Sequence, residues 1–374
     1  MAIIRPAFRT LYLLFFAPIE IALPLFRLTL VGIHPKGRQS PAWSLKQALL
    51  VRLIKSVIRT ICIARRTEKL TLQPGSEGDR FAVVVPAASD LYVGPARDPE
   101  LPPCAIGGTW TPKCPQRAKT ADPKDLLVAL HFHGGAFVIG DGRDGSSGFA
   151  ASLLTRDAGC THVFSVQYRL ATDSNGRFPA PLQDAVSAYM YLLKTVGVPA
   201  DRIVLSGDSA GGNIALALLR YIHDYGAKLD IPSPAVAILW SPWTDITIGD
   251  DETRLVSVVE QSACYLHERL LRWGTRTITG GGKIASTDPY LSPGRGHGFA
   301  SKTPMWVHSG GVEVLYTDNV RFVETFKAAG AEVEWVVDPY SPHDMALLGK
   351  VLGFEKETRA SAAKAGLFIR RHVA

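Results

Sequence analysis

The chain has 374 residues, 47% hydrophobic and 20% charged, a balance that excludes fibrous and disordered classes and leaves ample length for a large core. Its formal net charge of +7 is local: residues 1 to 66 hold eleven Lys and Arg against Glu20 alone, so this arm carries +10 and the remainder −3. The basic residues alternate with Leu and Ile, a pattern suited to a membrane surface and not to nucleic acid, which is not expected as a partner.

The arm comes first. Residues 7 to 33 are strongly apolar but interrupted by Arg9, Glu20 and Arg27 and by Pro18 and Pro24, and the longest charge-free run, Thr10 to Ile19, is too short to span a bilayer. It has the length of a signal-peptide core, yet no clean small-x-small cleavage site follows. Residues 43 to 64 read as an amphipathic helix with Leu50, Leu53, Ile54, Val57, Ile58 and Ile61 together and Arg52, Lys55, Arg59 and Arg66 on another face. Two compatible readings stand for residues 1–66: a lid over an active site, or a segment lying in a membrane interface. Localisation is accordingly cytoplasmic or membrane-associated, at the cytosolic face or in the lumen of the endoplasmic reticulum. The absence of an Asn-x-Ser/Thr sequon disfavours a glycosylated secreted protein.

Residues 67 to 125 carry short strand-like pieces, Phe81 to Val85 and Gly108 to Trp110, between Pro- and Gly-rich loops. Cys62, Cys104, Cys114, Cys160 and Cys264 form no CxxC pair and have no His at metal-ligand spacing, so no metal is expected. Cys104 and Cys114 sit at a distance that permits pairing, but unpaired thiols in a reducing compartment is the preferred reading.

Leu126 to Phe132 reads as a buried strand ending in His133-Gly134-Gly135-Ala136-Phe137, where consecutive glycines let backbone N–H groups turn toward a substrate oxygen. Val163 to Tyr168 is a further strand, and Phe178 to Leu193 a loop entering a helix. Ile203 to Gly207 stops at small residues, and an Ala/Leu-rich helical pattern begins after Gly211 and Gly212, so Ser209 falls on a strand-to-helix turn. Gly207 and Gly211 give that turn clearance, and Ala210 presents an N–H at the helix N-terminus. Ala235 to Leu239 is another strand, ending in Trp240. The stretch at about 250–282 departs from the rhythm and reads as a helical cap; Trp240, Tyr265 and Trp273 are candidate pocket residues. Pro304 to His308, Tyr316 to Ala329 and Val333 to Val337 restore strand, helix and strand. The fold class is α/β, a mostly parallel sheet with helices on both faces.

A serine nucleophile needs a base, and the base needs an anion to fix its tautomer. His343 follows the last strand closely, and Glu313 or Asp318 follows the strand before it; the order Ser209, acid, His343 suits such a sheet.

With His133 to Phe137, Tyr168 to Ala171, Phe178 to Asp184, Gly207 to Gly212, Glu313 to Leu315 and Pro342 to Asp344 in this order, the chain resembles the hormone-sensitive-lipase-like branch of the α/β-hydrolases. The resemblance runs from about Gly108 to the C-terminus. It implies an α/β-hydrolase domain over 67–374, a serine esterase without cofactor acting on a small-molecule ester, Ser209 as nucleophile, His343 as base, and oxyanion donors from Gly135, Ala136 and Ala210, beside Gly134 of the same glycine pair. It also implies that the arm and the cap form a lid. The chain departs from the family in having Ala136 where a third glycine is usual and Glu313 where the acid is usually Asp; Glu313 is preferred to Asp318. The narrow Ala136 and the cap aromatics suggest a short acyl group, such as acetyl, on a bulky apolar alcohol. An amide deacetylase and a membrane-associated lipase share the same triad; a non-catalytic receptor on this fold is the remote alternative. The oligomeric state is not legible.

Overall fold

The computed structural model describes residues 6–115, 126–173 and 175–373. The arm begins with α1 (Pro6–Leu11), a π-helical stretch (Tyr12–Phe16) and α2 (Ala17–Val31), followed by α3 (Leu45–Ala64). Residues 1–5 of the arm lie outside the described residues.

The helical segment corrects the reading of its length. Pro18 sits in the first turn of α2, where no N–H is needed, and Pro24 is accommodated within it. Arg9–Val31 is therefore long and apolar enough, by length and composition, to cross a membrane, and 11% of its most apolar window is buried in the protein. Counting the charge-free run alone undervalued this segment, because Glu20 is met within the arm by Tyr12 and, at 2.7 Å, by Arg59.

Helix α3 starts at a capping box between Ser44 and Gln47. Its buried stripe runs through Ala48, Val51, Ile58 and Cys62, with Leu50, Ile54 and Ile61 half-buried beside it, so the helix is turned from the stripe its larger residues suggested. Trp43, fully buried at its start, ties the arm to the body by donating from Nε1 to the Tyr340 carbonyl at 2.6 Å.

Eight strands form one sheet in the order β1-β2-β4-β3-β5-β6-β7-β8: β1 (Phe81–Val84), β2 (Ile106–Thr111), β3 (Val128–Phe132), β4 (His162–Gln167), β5 (Ile203–Asp208), β6 (Val236–Trp240), β7 (Met305–Gly310) and β8 (Val333–Asp338). Strand β2 runs antiparallel to β1 and β4; β4, β3, β5, β6, β7 and β8 are parallel. Helices α4 (Asp144–Ser152), α5 (Ala180–Met190), α6 (Ala210–Leu229), α9 (Tyr316–Ala328), α10 (Met345–Leu352) and α11 (Glu355–His372) cover it, and α7 (Glu252–Gln261) and α8 (Glu268–Ile278) form the cap. All six residues of β5 are buried, as a central parallel strand requires. The two-residue period divides its side chains: Ile203 and Leu205 join the core shared with α5 and α6, and Val204 joins the core shared with α4 and α11. All five cysteines are free thiols.

Candidate active site

Ser209 closes β5 and opens α6 at φ 49°, ψ −115°. An L-residue in that half of conformational space is strained by about 1–2 kcal/mol, and the strain lifts its side chain off the end of the sheet. Neighbouring backbone holds it there: Ser209 N–H donates to the Trp240 carbonyl at 2.9 Å, and Trp243 N–H donates to the Ser209 carbonyl at 2.8 Å. A Cβ on Gly211 would lie 1.9 Å from the Phe132 carbonyl oxygen, and one on Gly207 would lie 2.4 Å from the Gly211 carbonyl oxygen. The two glycines thus let α6 pack against β5 and the end of β3, a sharper reason than clearance around Ser209 alone.

Three side chains from three loops meet at this turn. His343 Nε2 lies 2.9 Å from Ser209 Oγ, and His343 Nδ1 lies 3.0 Å from Glu313 Oε2. Asn319 Nδ2 donates to the other carboxylate oxygen of Glu313 at 3.2 Å and to Ser309 Oγ at 3.1 Å, fixing the acid in place. All three residues are buried, so the chain of hydrogen bonds is shielded from competing water. Asn319, in the first turn of α9, had no signal in the sequence beyond lying six residues after Glu313.

Asp318 points elsewhere. It pairs with Arg254 and, at 3.7 Å, with Arg321, in a group of arginines that also surrounds Asp245. Burial and the nearby Asp245 push its carboxyl up to about 6 against the pull of those arginines.

The loop after β3 carries three consecutive residues at positive φ, Gly135 (106°), Ala136 (55°) and Phe137 (63°). The register of β3 on β5 pairs Phe132 with Gly207, so this loop stands beside the Ser209 turn. Among the described residues no protein acceptor takes the N–H of Gly135, Ala136 or Ala210. Gly134 is a correction: its N–H donates to Asp208 Oδ2 at 2.7 Å and is not available to a substrate. The methyl of Ala136 lies against Gly274 of the cap helix α8, where a further Cβ would come within 3.1 Å.

The pocket candidates divide. The Tyr265 ring lies 5.9 Å from the His343 ring. Trp273 stands at a separate cavity between arm and cap, under the Arg65 guanidinium. Trp240 does not belong to a pocket: with Val236 and Ile238 it faces the opposite core, packing 5.0 Å from Trp306. Strand parity sends it there, and Trp243, beyond the strand, stacks instead on Phe137 of the glycine loop.

Beneath the three residues lies a polar layer the motifs contained but did not announce. Asp208 Oδ1 meets His131 Nε2 at 3.1 Å, and His131 Nδ1 lies 3.2 Å from Ser206 Oγ. The buried Asp344 carboxyl hydrogen-bonds to Asp208 and caps α10 by accepting from Leu347 N–H at 3.1 Å. Burial and the negative Asp208 raise the Asp344 carboxyl well above the usual carboxylate range, and His131 beside Asp208 holds that group low despite its burial. In its protonated form Asp344 donates to Asp208 and ties the Ser209 turn to the His343 loop. Because the raised group binds its proton more tightly in the folded protein, its contribution is full below about pH 3.9 and falls as pH rises toward the raised value. Asp344→Asn, whose amide supplies the same donor without titrating, is expected to gain on the wild type above pH 4 by at most about 1.4 kcal/mol per pH unit. Urea melts at pH 5 and pH 8 check this; a stability difference independent of pH contradicts it.

The sequence profile of the α/β-hydrolase fold matches residues 129–347, more than half of the chain. The chain belongs to this family. The hydrolase is 31% identical to the esterase LipI of Mycobacterium tuberculosis over 60% of its own length and 65% of LipI, so it spans just under two thirds of that relative. It is 31% identical to an acetyl-hydrolase of Streptomyces hygroscopicus over 66% of this chain and 76% of that protein. A solved esterase of the bacterial hormone-sensitive lipase family superposes with a TM-score of 0.61 at 23% identity, covering 89% of this chain and all of the other, a likeness of fold. The two sequence relatives bear the names esterase and acetyl-hydrolase.

Proposed function

We propose that this carboxylic ester hydrolase works through Ser209, His343 and Glu313, with Gly135, Ala136 and Ala210 as oxyanion donors. The observation that carries the reading is the unbroken hydrogen-bonded chain from Ser209 Oγ through His343 to Glu313 Oε2. His343 Nε2 takes the Ser209 proton as Oγ attacks the ester carbonyl; Glu313 holds the Nδ1–H tautomer and supports the imidazolium. The oxyanion rests on the three N–H groups, collapse expels the alcohol protonated by His343, and a water activated by the same base releases the acid.

We further propose that the acyl group is short. The name of the acetyl-hydrolase relative supports this, as does the closed contact between the Ala136 loop and α8. A series of p-nitrophenyl esters is expected to give the highest kcat/KM with acetate or butyrate and the lowest with palmitate; a maximum at long chains overturns the short-acyl reading and leaves the triad reading standing.

A second reading concerns the arm, which we propose covers the cap as part of a lid and lies on a membrane surface. Leu14, Phe15, Ile19, Phe26 and Leu30 are each more than half exposed along the apolar helix. Phe15→Ser with Phe26→Ser is expected to weaken binding to phosphatidylcholine vesicles by at least tenfold, about 1.5–3 kcal/mol being at stake per phenylalanine. Unchanged cosedimentation contradicts the membrane reading.

A further inference from the structure

At the N-terminal end of the exposed apolar helix, a cavity of about 740 Å³ opens between arm and cap. Six arginines line it: Arg9 and Arg65 from the arm, Arg269, Arg272 and Arg276 from α8, and Arg177, against the acids Asp173, Glu252 and Glu268. Part of this charge is accounted for within the protein. Arg177 pairs with Asp98 and Glu100, Arg272 with Glu252, and Glu268 with His267.

Arg9, Arg65 and Arg269 differ. Among the described residues none of the three forms an ion pair with a carboxylate, and Arg9 Nε is buried without an acceptor. Arg65 is set in place by two features: it ends α3 in the left-handed conformation at φ 53°, and its guanidinium stacks 4.6 Å above the Trp273 ring. Burial, with the positive charges of Arg276, Arg9 and Arg269 adding to it and Cys62 opposing, pulls the Arg65 guanidinium down from its usual range. Six guanidinium groups against three carboxylates leave an excess of positive charge in the cavity, and a planar fork of N–H donors matches the oxygens of a phosphate.

We propose that this cavity is an oxoanion site that takes a phosphate group, and that on a bilayer it holds the headgroup of an anionic phospholipid. The lipid source follows from position: the basic cluster stands at one end of an apolar helix, the arrangement that pairs buried hydrocarbon with anionic headgroups. The inference rests on the membrane reading for its lipid source and is independent of the ester chemistry.

The test uses the full chain and two probes. Inorganic phosphate, compared with chloride at matched ionic strength, is expected to raise Tm of the wild type in a saturable way, and Arg65→Gln with Arg269→Gln is expected to abolish the rise. The exposed pair Lys36→Gln with Lys46→Gln, outside the cavity, is expected to retain it. Vesicles of phosphatidylcholine with 30% phosphatidylglycerol are expected to bind the wild type at least tenfold more tightly than pure phosphatidylcholine, a preference lost in the double arginine variant and largely kept in the lysine variant. Arg9→Gln, which changes only the start of the arm, is expected to weaken both responses and guards against misfolding of the double variant. A phosphate response without a vesicle preference upholds the site with a soluble phosphate as ligand and overturns the lipid source. No phosphate response, or equal losses in the arginine and lysine variants, overturns the site; failure of pure phosphatidylcholine binding alone strikes the membrane reading and not the anion site.

Discussion

Replacing Ser209 with alanine is expected to lower kcat on p-nitrophenyl acetate by about 10⁴- to 10⁶-fold, and His343→Ala by a similar factor, with the double variant little worse than either. The reason is that the two groups act as one device. Among the described residues His343 Nε2, 2.9 Å from Ser209 Oγ, has no other side chain to activate, and Ser209 without a base is an ordinary alcohol. Removing Ser209 Oγ leaves the fold intact, because the turn is held by backbone hydrogen bonds to Trp240 and Trp243 and by glycine contacts, none of which uses the hydroxyl. Steady-state kinetics with circular dichroism of each variant checks this. Losses that multiply in the double variant contradict a shared proton-transfer step.

The second large effect separates the two acids. Glu313→Gln is expected to cut kcat by about 10²- to 10⁴-fold with KM little changed, since a neutral amide no longer supports the imidazolium and Asn319 is left facing an altered partner. Asp318→Asn is expected to change kcat by less than about threefold. Its effect is on stability: because burial and Asp245 raise the carboxyl to about 6, the wild type loses stability as pH rises from about 4 toward 6, and Asp318→Asn is expected to remove that pH dependence. Kinetics and urea melts on both variants give opposite signatures, and activity lost with Asp318 but kept with Glu313 reverses the assignment.

Much of this site was legible because its parts are local. The run Ile203 to Gly212 contains the strand, the turn and the helix start within ten residues, and the conformation of Ser209 follows from that junction. His343 and Glu313 were legible through chain order, since each sits on the loop after its strand. Gly134 was misread because the partner of its N–H, Asp208, lies 74 residues away and no local pattern predicts the contact. Trp240 was misassigned although its parity is in the sequence: Val236, Ile238 and Trp240 alternate with Ala237 and Leu239 and share one face. The Asp208 to Asp344 link joins two motifs each read for its neighbour, Ser209 and His343, and the carboxyl beside a functional residue attracted no role of its own. The arm was harder still. Its apolar helix and the guanidinium cluster at its end acquire meaning from which faces the body leaves uncovered, and that is a property of tertiary packing.

The central claim is that Ser209 carries the acyl group, activated by His343. Intact-mass analysis after brief exposure to a fluorophosphonate tests it most directly. One adduct per chain is expected, mapped by peptide digestion to Ser209, absent in Ser209→Ala and formed far more slowly in His343→Ala. An unlabelled wild-type protein, or an adduct on any other residue, contradicts it.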